Sequence, residues 1–125
     1  MAPQNIEGLL KTSPMISQAM VYGDRKPYLT ALITLDTEEL ASWAEAQGIR
    51  GMSLVELCCD QRVRNLVADI VKEKNQHLAS FETIKRFTIL SQDFSQEAGE
   101  VTPTLKVKRR YVSEKYRDLL ERMYA

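Results

Sequence analysis

The sequence has little of what disulfide frameworks and metal sites are built from. Its 125 residues include only two cysteines and one histidine. The cysteines, Cys58 and Cys59, are neighbours, and the geometry of a disulfide is hard to reach across one peptide bond. His77 lies far along the chain, so a zinc ion would lack ligands at suitable spacing. We therefore predict no disulfide and no metal site, which fits a reducing compartment.

Long apolar runs and an excess of one charge are also missing. No stretch approaches the ~20 apolar residues of a membrane span, and the start lacks the charged-then-apolar pattern of a signal peptide. Lysine plus arginine and aspartate plus glutamate balance at 17 each, whereas nucleic-acid binders usually carry a basic excess. We expect no transmembrane segment, no nucleic-acid partner and a cytoplasmic location.

The chain does contain enough apolar residues for one core. Their share is 44%, and the length fits one domain. No internal repeat or low-complexity segment divides the chain. Residues 1–125 are therefore expected to form a single domain.

Apolar spacing and capping residues predict the order of helices and strands. Strands are predicted at residues 16–22, 28–35 and 85–90, with a turn at 23–27 that joins the first two into a hairpin. Helices are predicted to begin near Pro3, Asp36, Ser53 and Asp60. A closing amphipathic helix is marked by Val112, Tyr116, Leu119, Leu120 and Met123. The pattern predicts an α+β fold, a three-stranded antiparallel sheet covered by helices.

A long polar segment, residues 91–105, precedes a basic run near the end of the chain. Long loops in compact domains are often functional, and we expect residues 92–105 to be exposed and poorly ordered. Thr102 and Thr104 offer hydroxyl groups, and Pro103 stiffens the backbone between them. Lys106 then presents a compact positive charge that suits the anionic oxygens of phosphate or carboxylate.

The stretch from Thr102 to Arg109, TPTLKVKR, resembles the last core motif of the adenylate-forming enzymes. This superfamily includes acyl-CoA synthetases, peptide-synthetase adenylation domains and firefly luciferase. Most of its members have Ser-Gly-Lys where this chain has Thr104, Leu105 and Lys106, and the TPTLK version resembles the long-chain acyl-CoA synthetase branch. Residues 2–7 (APQNIE), 21–24 (VYGD) and 27–33 (PYLTALI) resemble further stretches of the same family in the same order, so the resemblance covers nearly the whole chain.

The resemblance implies the C-terminal lid domain of a long-chain fatty-acid–CoA ligase, with the N-terminal AMP-binding domain outside this sequence. Such a ligase uses ATP, a fatty acid and coenzyme A, and Mg²⁺ is expected on the N-terminal domain. The lid is implied to insert its motif lysine, Lys106, for acyl-adenylate formation and then to rotate for attack by coenzyme A. Thr102, Thr104 and Lys108 are candidate ligands of the ATP phosphates, and no coenzyme A residue is assigned. A peripheral position of the full-length enzyme at the membrane stays open.

Two functions of other classes also stay open on the residues alone. A small stand-alone α+β binding module would show the same pattern of elements, since fold does not settle function. RNA binding through residues 106–110 is the other, although the strands lack a clear aromatic stacking pair and the net charge is zero. Lys108, Arg109 and Arg110 either help to hold phosphate or are solvated charges at the start of the last helix, and we favour solvated charges.

Overall fold

The computed structural model describes residues 3–23 and 26–124, apart from the side chain of residue 81. The elements in chain order are α1 (Pro3–Leu10), β1 (Ile16–Tyr22), β2 (Leu29–Leu35), α2 (Thr37–Ala46), α3 (Leu54–Cys59), α4 (Gln61–Asn75), a 3-10 turn (Ser80–Glu82), β3 (Ile84–Leu90), α5 (Arg109–Lys115) and α6 (Arg117–Arg122). The predicted strands are confirmed to within one residue at each end. Two residues of the predicted turn, 24 and 25, lie outside the described residues.

The three strands form one sheet with β2 in the middle. β1 pairs antiparallel with β2, as the predicted hairpin requires. β3, however, runs parallel to β2, with Ala31 opposite Phe87, so the prediction of a wholly antiparallel sheet is wrong. The reason is the connection from β2 to β3, which contains α2, α3 and α4 and is long enough to return the chain to the end where β2 began. The α+β class and the three strands are confirmed.

All seven residues of β2 are buried, which shows that both faces of this central strand are covered. Side chains alternate between the two faces of a strand. On one face, Ala31 and Ile33 belong to a core formed with α1, α2, α3 and α4. On the other face, Leu32 packs with residues from the last third of the chain, namely Phe94, Val101, Val112, Leu120 and Met123. The segment that carries the TPTLK motif is therefore anchored to the sheet.

Capping side chains begin the central helices where the sequence predicts them. The Asp36 carboxylate accepts a hydrogen bond from the Glu39 amide at 3.0 Å. Ser53 and Glu56 form a complete capping box, each side chain accepting from the other's backbone amide at 3.2 Å. Asp60 opens α4 by accepting from the Arg62 amide at 2.8 Å. These contacts satisfy amide groups that a helix leaves unpaired at its start.

Two expectations for the last third of the chain need correction. Residues 92–105 were expected to be exposed, but Phe94, Glu100 and Val101 are buried. The segment is held against the sheet because its apolar side chains complete the core on the face to which Leu32 points. The predicted closing helix is divided at Tyr116 into α5 and α6, although its apolar residues do face the core.

Candidate functional site

Lys106 lies at the end of a tight hairpin turn. Val101 and Val107 form an antiparallel bridge at its base. Inside that bridge the Thr102 amide donates to the Lys106 carbonyl at 2.8 Å, and the Leu105 amide donates to the Thr102 carbonyl at 2.8 Å. We call residues 102–106 the lysine turn. Its three-residue loop is a common way to close a hairpin.

Thr102 makes most of the hydrogen bonds that hold the lysine turn. Its hydroxyl oxygen accepts from the Lys106 amide at 3.1 Å and lies 3.1 Å from the Thr104 hydroxyl. Its carbonyl also accepts from the Gln96 side-chain amide at 3.2 Å. Both threonines therefore have a place within the turn, and phosphate binding by them stays a prediction.

Leu105 has an uncommon backbone conformation. Its φ is 63°, and no other non-glycine residue in the described part of the chain has a positive φ. The last residue of a three-residue hairpin loop is typically left-handed, a conformation that glycine adopts without steric cost. A leucine there costs roughly 1–2 kcal/mol. Its side chain is 58% exposed as well.

The amine of Lys106 is available to a ligand from outside the chain. The residue is exposed, and within residues 3–23 and 26–124 its amine has no hydrogen-bond or ion-pair partner. The turn overlies α1 and β1 across an open cleft of ≈ 630 Å³, lined by Gln4, Glu7, Gly8, Lys11, Gln18, Ala19, Thr104, Leu105, Lys106, Val107 and Arg109. An anionic group that entered this cleft would meet the lysine ammonium directly.

Arg109 is a structural residue that the sequence did not reveal. Its guanidinium binds Glu7 with two hydrogen bonds, of 2.7 and 2.8 Å, and donates to the Val21 carbonyl at 3.0 Å. The hydrogen bond to Glu7 raises the pKa of Arg109 above its ordinary value. The interpretation as a solvated charge is therefore wrong for Arg109, whereas Lys108 and Arg110 are exposed.

Glu100 is a second residue that the sequence did not single out. It is only 3% exposed, and its carboxylate accepts from the Lys115 amine at 3.0 Å and the Tyr116 hydroxyl at 3.2 Å. The bond to Glu100 raises the pKa of Lys115, and burial raises the pKa of Tyr116. The Lys108 amide also donates to the Glu100 carbonyl at 2.8 Å. Glu100 thus joins the segment before the lysine turn to the end of α5.

Metal-binding and membrane-spanning features are not found in residues 3–23 and 26–124. No group of three or more histidine, cysteine, aspartate or glutamate side chains there could hold a metal ion. None of the helices is long and apolar enough to cross a membrane. Cys58 and Cys59 are free thiols.

The chain belongs to the AMP-binding enzyme C-terminal domain family, whose sequence profile matches residues 1–125. The fold is thus that of a domain class found at the C-terminus of AMP-binding enzymes. Long-chain-fatty-acid–CoA ligase FadD15 of Mycobacterium tuberculosis is 41% identical over 98% of this chain and 21% of its own length. Long-chain-fatty-acid–CoA ligase 6 of Homo sapiens is 35% identical over 99% of this chain and 18% of its own length. The chain spans about a fifth of the length of the curated relatives it matches.

Solved structures show the same fold. The adenylation domain of a carboxylate reductase from Mycobacterium chelonae superposes with a TM-score of 0.78, at 24% identity, over 99% of this chain and 18% of that chain. The corresponding domain from Segniliparus rugosus, in complex with AMP and a co-purified carboxylic acid, gives a TM-score of 0.74 at 25% identity, over 99% and 18% of the two chains. The resemblance read from the motifs is therefore confirmed at the level of family and fold.

Proposed function

We propose that this chain is the C-terminal lid domain of a long-chain fatty-acid–CoA ligase and works with an N-terminal AMP-binding domain of the same enzyme. In the first half-reaction, the fatty-acid carboxylate displaces pyrophosphate from ATP and forms an acyl-adenylate. In the second, the thiol of coenzyme A displaces AMP and forms acyl-CoA. Support comes from the family and from relatives named as long-chain ligases at 35–41% identity.

Lys106 is the catalytic residue in this proposal. A carboxylate and the α-phosphate of ATP are both anions, so their approach is opposed by repulsion. A lysine ammonium is a compact positive charge with three donors, and it can contact oxygens of both groups. It therefore positions the reactants and stabilises the charge that develops as pyrophosphate leaves. The observation that carries this role is the exposed amine of Lys106, which has no partner among the residues that the structure describes and lies at the end of a tightly hydrogen-bonded turn.

The other candidate phosphate ligands have smaller roles in the proposal. Lys108 and Thr104 are both exposed in the same segment, so each is accessible to a phosphate oxygen. The Thr102 hydroxyl is already bonded to the Lys106 amide. Its contribution is therefore to hold the lysine turn in shape, and direct phosphate binding is secondary to that.

Magnesium and cellular location belong to the full-length enzyme. We assign Mg²⁺ to the AMP-binding domain, as the resemblance to adenylate-forming enzymes implies. We assign the enzyme to the cytoplasm, where a peripheral position at the membrane would bring it close to fatty acids. Fractionation of cells that express the full-length enzyme tests the location.

The decisive experiment is Lys106→Ala in the full-length ligase, with the two half-reactions assayed separately. Pyrophosphate release from ATP and fatty acid should fall about 10²–10³-fold, as when one preorganised donor is removed. Thioester formation from pre-made acyl-adenylate and coenzyme A should be nearly unchanged, because no approach of two anions at phosphorus is involved. Lys85→Ala, at an exposed position on β3, is the matched control and should leave both steps intact. Equal losses in both half-reactions for Lys106→Ala would indicate a folding or docking defect, and the catalytic assignment would be withdrawn.

A further inference from the structure

Leu105 has two features that are each unfavourable in this chain. Its left-handed backbone, with φ of 63°, is one that L side chains rarely adopt. Its side chain is 58% exposed, so the strain is not offset by burial of the leucine in the core. Glycine would satisfy the same turn with neither cost. The side chain itself therefore needs an explanation outside the packing of this chain.

The strain cannot relax without loss of the lysine turn. The Leu105 amide is bonded to the Thr102 carbonyl, and the amide of the next residue, Lys106, is bonded to the Thr102 hydroxyl. These bonds fix the backbone on both sides of Leu105. Backbone strain that is held by its surroundings in this way tends to occur at functional sites. Leu105 also lines the same cleft as Lys106, so whatever meets the lysine also comes close to the leucine.

We propose that Leu105 is a positioning residue, whose side chain is buried in an apolar depression of the AMP-binding domain when Lys106 reaches ATP. This inference rests on the proposed function, since that domain is the partner that brings ATP to the lysine. Burial of the leucine in the closed state would stabilise the arrangement in which the ammonium lies between carboxylate and phosphate. In the open state the side chain returns to water. The leucine thus favours closure, while the lysine acts on the reacting groups.

The test compares three variants of the full-length ligase with the wild type. Leu105→Gly removes the strain and the side chain together. Leu105→Asn keeps a side chain that tolerates the left-handed backbone but is polar. Leu105→Met keeps an apolar side chain of similar size in the same backbone conformation. The readouts are kcat and KM for pyrophosphate release, thioester formation from pre-made acyl-adenylate, and the Tm of the 125-residue chain.

Loss of the apolar side chain should slow adenylate formation while the turn stays intact. For Leu105→Gly and Leu105→Asn we expect kcat of adenylate formation to fall about 10–100-fold, the equivalent of losing one buried leucine. KM for ATP should change little, because the substrates bind before the lid closes. Leu105→Met should stay within about threefold of wild type. Thioester formation should be unchanged in all three.

For Leu105→Gly, stability should rise while the rate of adenylate formation falls. Release of the strained conformation should raise the Tm of Leu105→Gly by a few degrees, roughly 2–5 °C. A residue with a merely structural role would lose stability and activity together. Wild-type adenylation by Leu105→Gly would overturn the proposal, and so would an equal loss for Leu105→Met.

The failure of this inference can be told apart from the failure of the proposed function. If Lys106→Ala loses adenylation and Leu105→Gly does not, the inference about Leu105 fails alone. If Lys106→Ala does not lose adenylation, the catalytic assignment of Lys106 fails, and the role of Leu105 in positioning that lysine fails with it.

Discussion

Arg109 and Glu7 are 102 positions apart in sequence and form a two-pronged ion pair, with Nη1 to Oε2 at 2.7 Å and Nη2 to Oε1 at 2.8 Å. Glu7 lies on α1, and Arg109 begins α5 three residues after Lys106, the last residue of the lysine turn. The same guanidinium donates to the carbonyl of Val21 in β1. One side chain therefore joins α1, β1 and α5 close to Lys106.

Replacement of Arg109 by alanine should destabilise the chain. The Glu7 carboxylate is 11% exposed and would lose both guanidinium bonds, so we expect the free energy of unfolding to fall by about 1–3 kcal/mol. Arg110→Ala is the matched control. Its side chain is 96% exposed, and its loss should change stability by no more than about 0.5 kcal/mol. Urea denaturation of the 125-residue chain measures both. Equal effects of the two substitutions would mean that the ion pair contributes nothing.

Local signals predicted most of the elements but not how they meet. Capping residues such as Asp36 and Ser53 act within four residues of themselves, so the sequence reveals them. The direction of β3 depends instead on the path of three intervening helices, and periodicity carries no information about that path. The pairing of Glu7 with Arg109 could not be predicted either, because two charged residues so far apart in sequence form no local pattern.

For the candidate site, the family resemblance indicated Lys106 but not the residues that surround it. The motif pointed to Lys106, and the structure shows that residue exposed. The sequence did not predict the burial of Glu100, because the residues before it are polar and indicate an exposed loop. The left-handed backbone of Leu105 did have a signal. Most of the superfamily has glycine at this position, and glycine is the residue that a positive φ favours.

The helix cap at Asp60 predicts a dependence of stability on pH. The side-chain hydrogen bond from Arg62 is the main cause that lowers the pKa of Asp60 from 3.8 to about 2. A carboxyl group with a lowered folded-state pKa stabilises the fold above its unfolded pKa, and this contribution is lost as pH falls. The thermal midpoint should therefore drop between pH 3.8 and about 2 as Asp60 becomes protonated.

Asp60→Asn isolates this contribution from that of the other carboxylates. Asparagine keeps a capping oxygen for α4 but does not titrate. The midpoint of the variant should fall less than that of the wild type over the same acid range, as followed by circular dichroism. Parallel pH profiles for the two proteins would show that the contact between Asp60 and Arg62 makes no contribution to stability in solution.

Glu100→Ala should destabilise the segment that carries the lysine turn. The buried carboxylate accepts from the Ser95 amide as well as from Lys115 and Tyr116. Its removal takes away the buried acceptor of these three donors, at a cost of about 1–3 kcal/mol in the free energy of unfolding. Glu97→Ala, at an exposed position in the same loop, is the control and should be nearly neutral. A smaller loss for Glu100→Ala than for Glu97→Ala would contradict this account of the loop.

Lys106→Arg keeps a positive charge at position 106 but changes the shape of the charged group. The hydrogen bonds of the lysine turn use the backbone of residue 106 and the side chain of Thr102, so arginine should leave the turn and the Tm of the chain unchanged. Its planar guanidinium, however, is larger than an ammonium and presents its donors in a fixed fork.

The forked guanidinium of arginine cannot replace a compact ammonium between a carboxylate and a phosphate. We therefore expect adenylate formation by Lys106→Arg in the full-length enzyme to fall on the order of 10–100-fold, which is less than the loss for Lys106→Ala. Thioester formation from pre-made acyl-adenylate should remain near wild type, because that step does not use the ammonium. Lys85→Arg, at an exposed position on β3 away from the lysine turn, is the control and should leave adenylate formation at the wild-type rate. Wild-type adenylation by Lys106→Arg would show that positive charge alone is sufficient at this position.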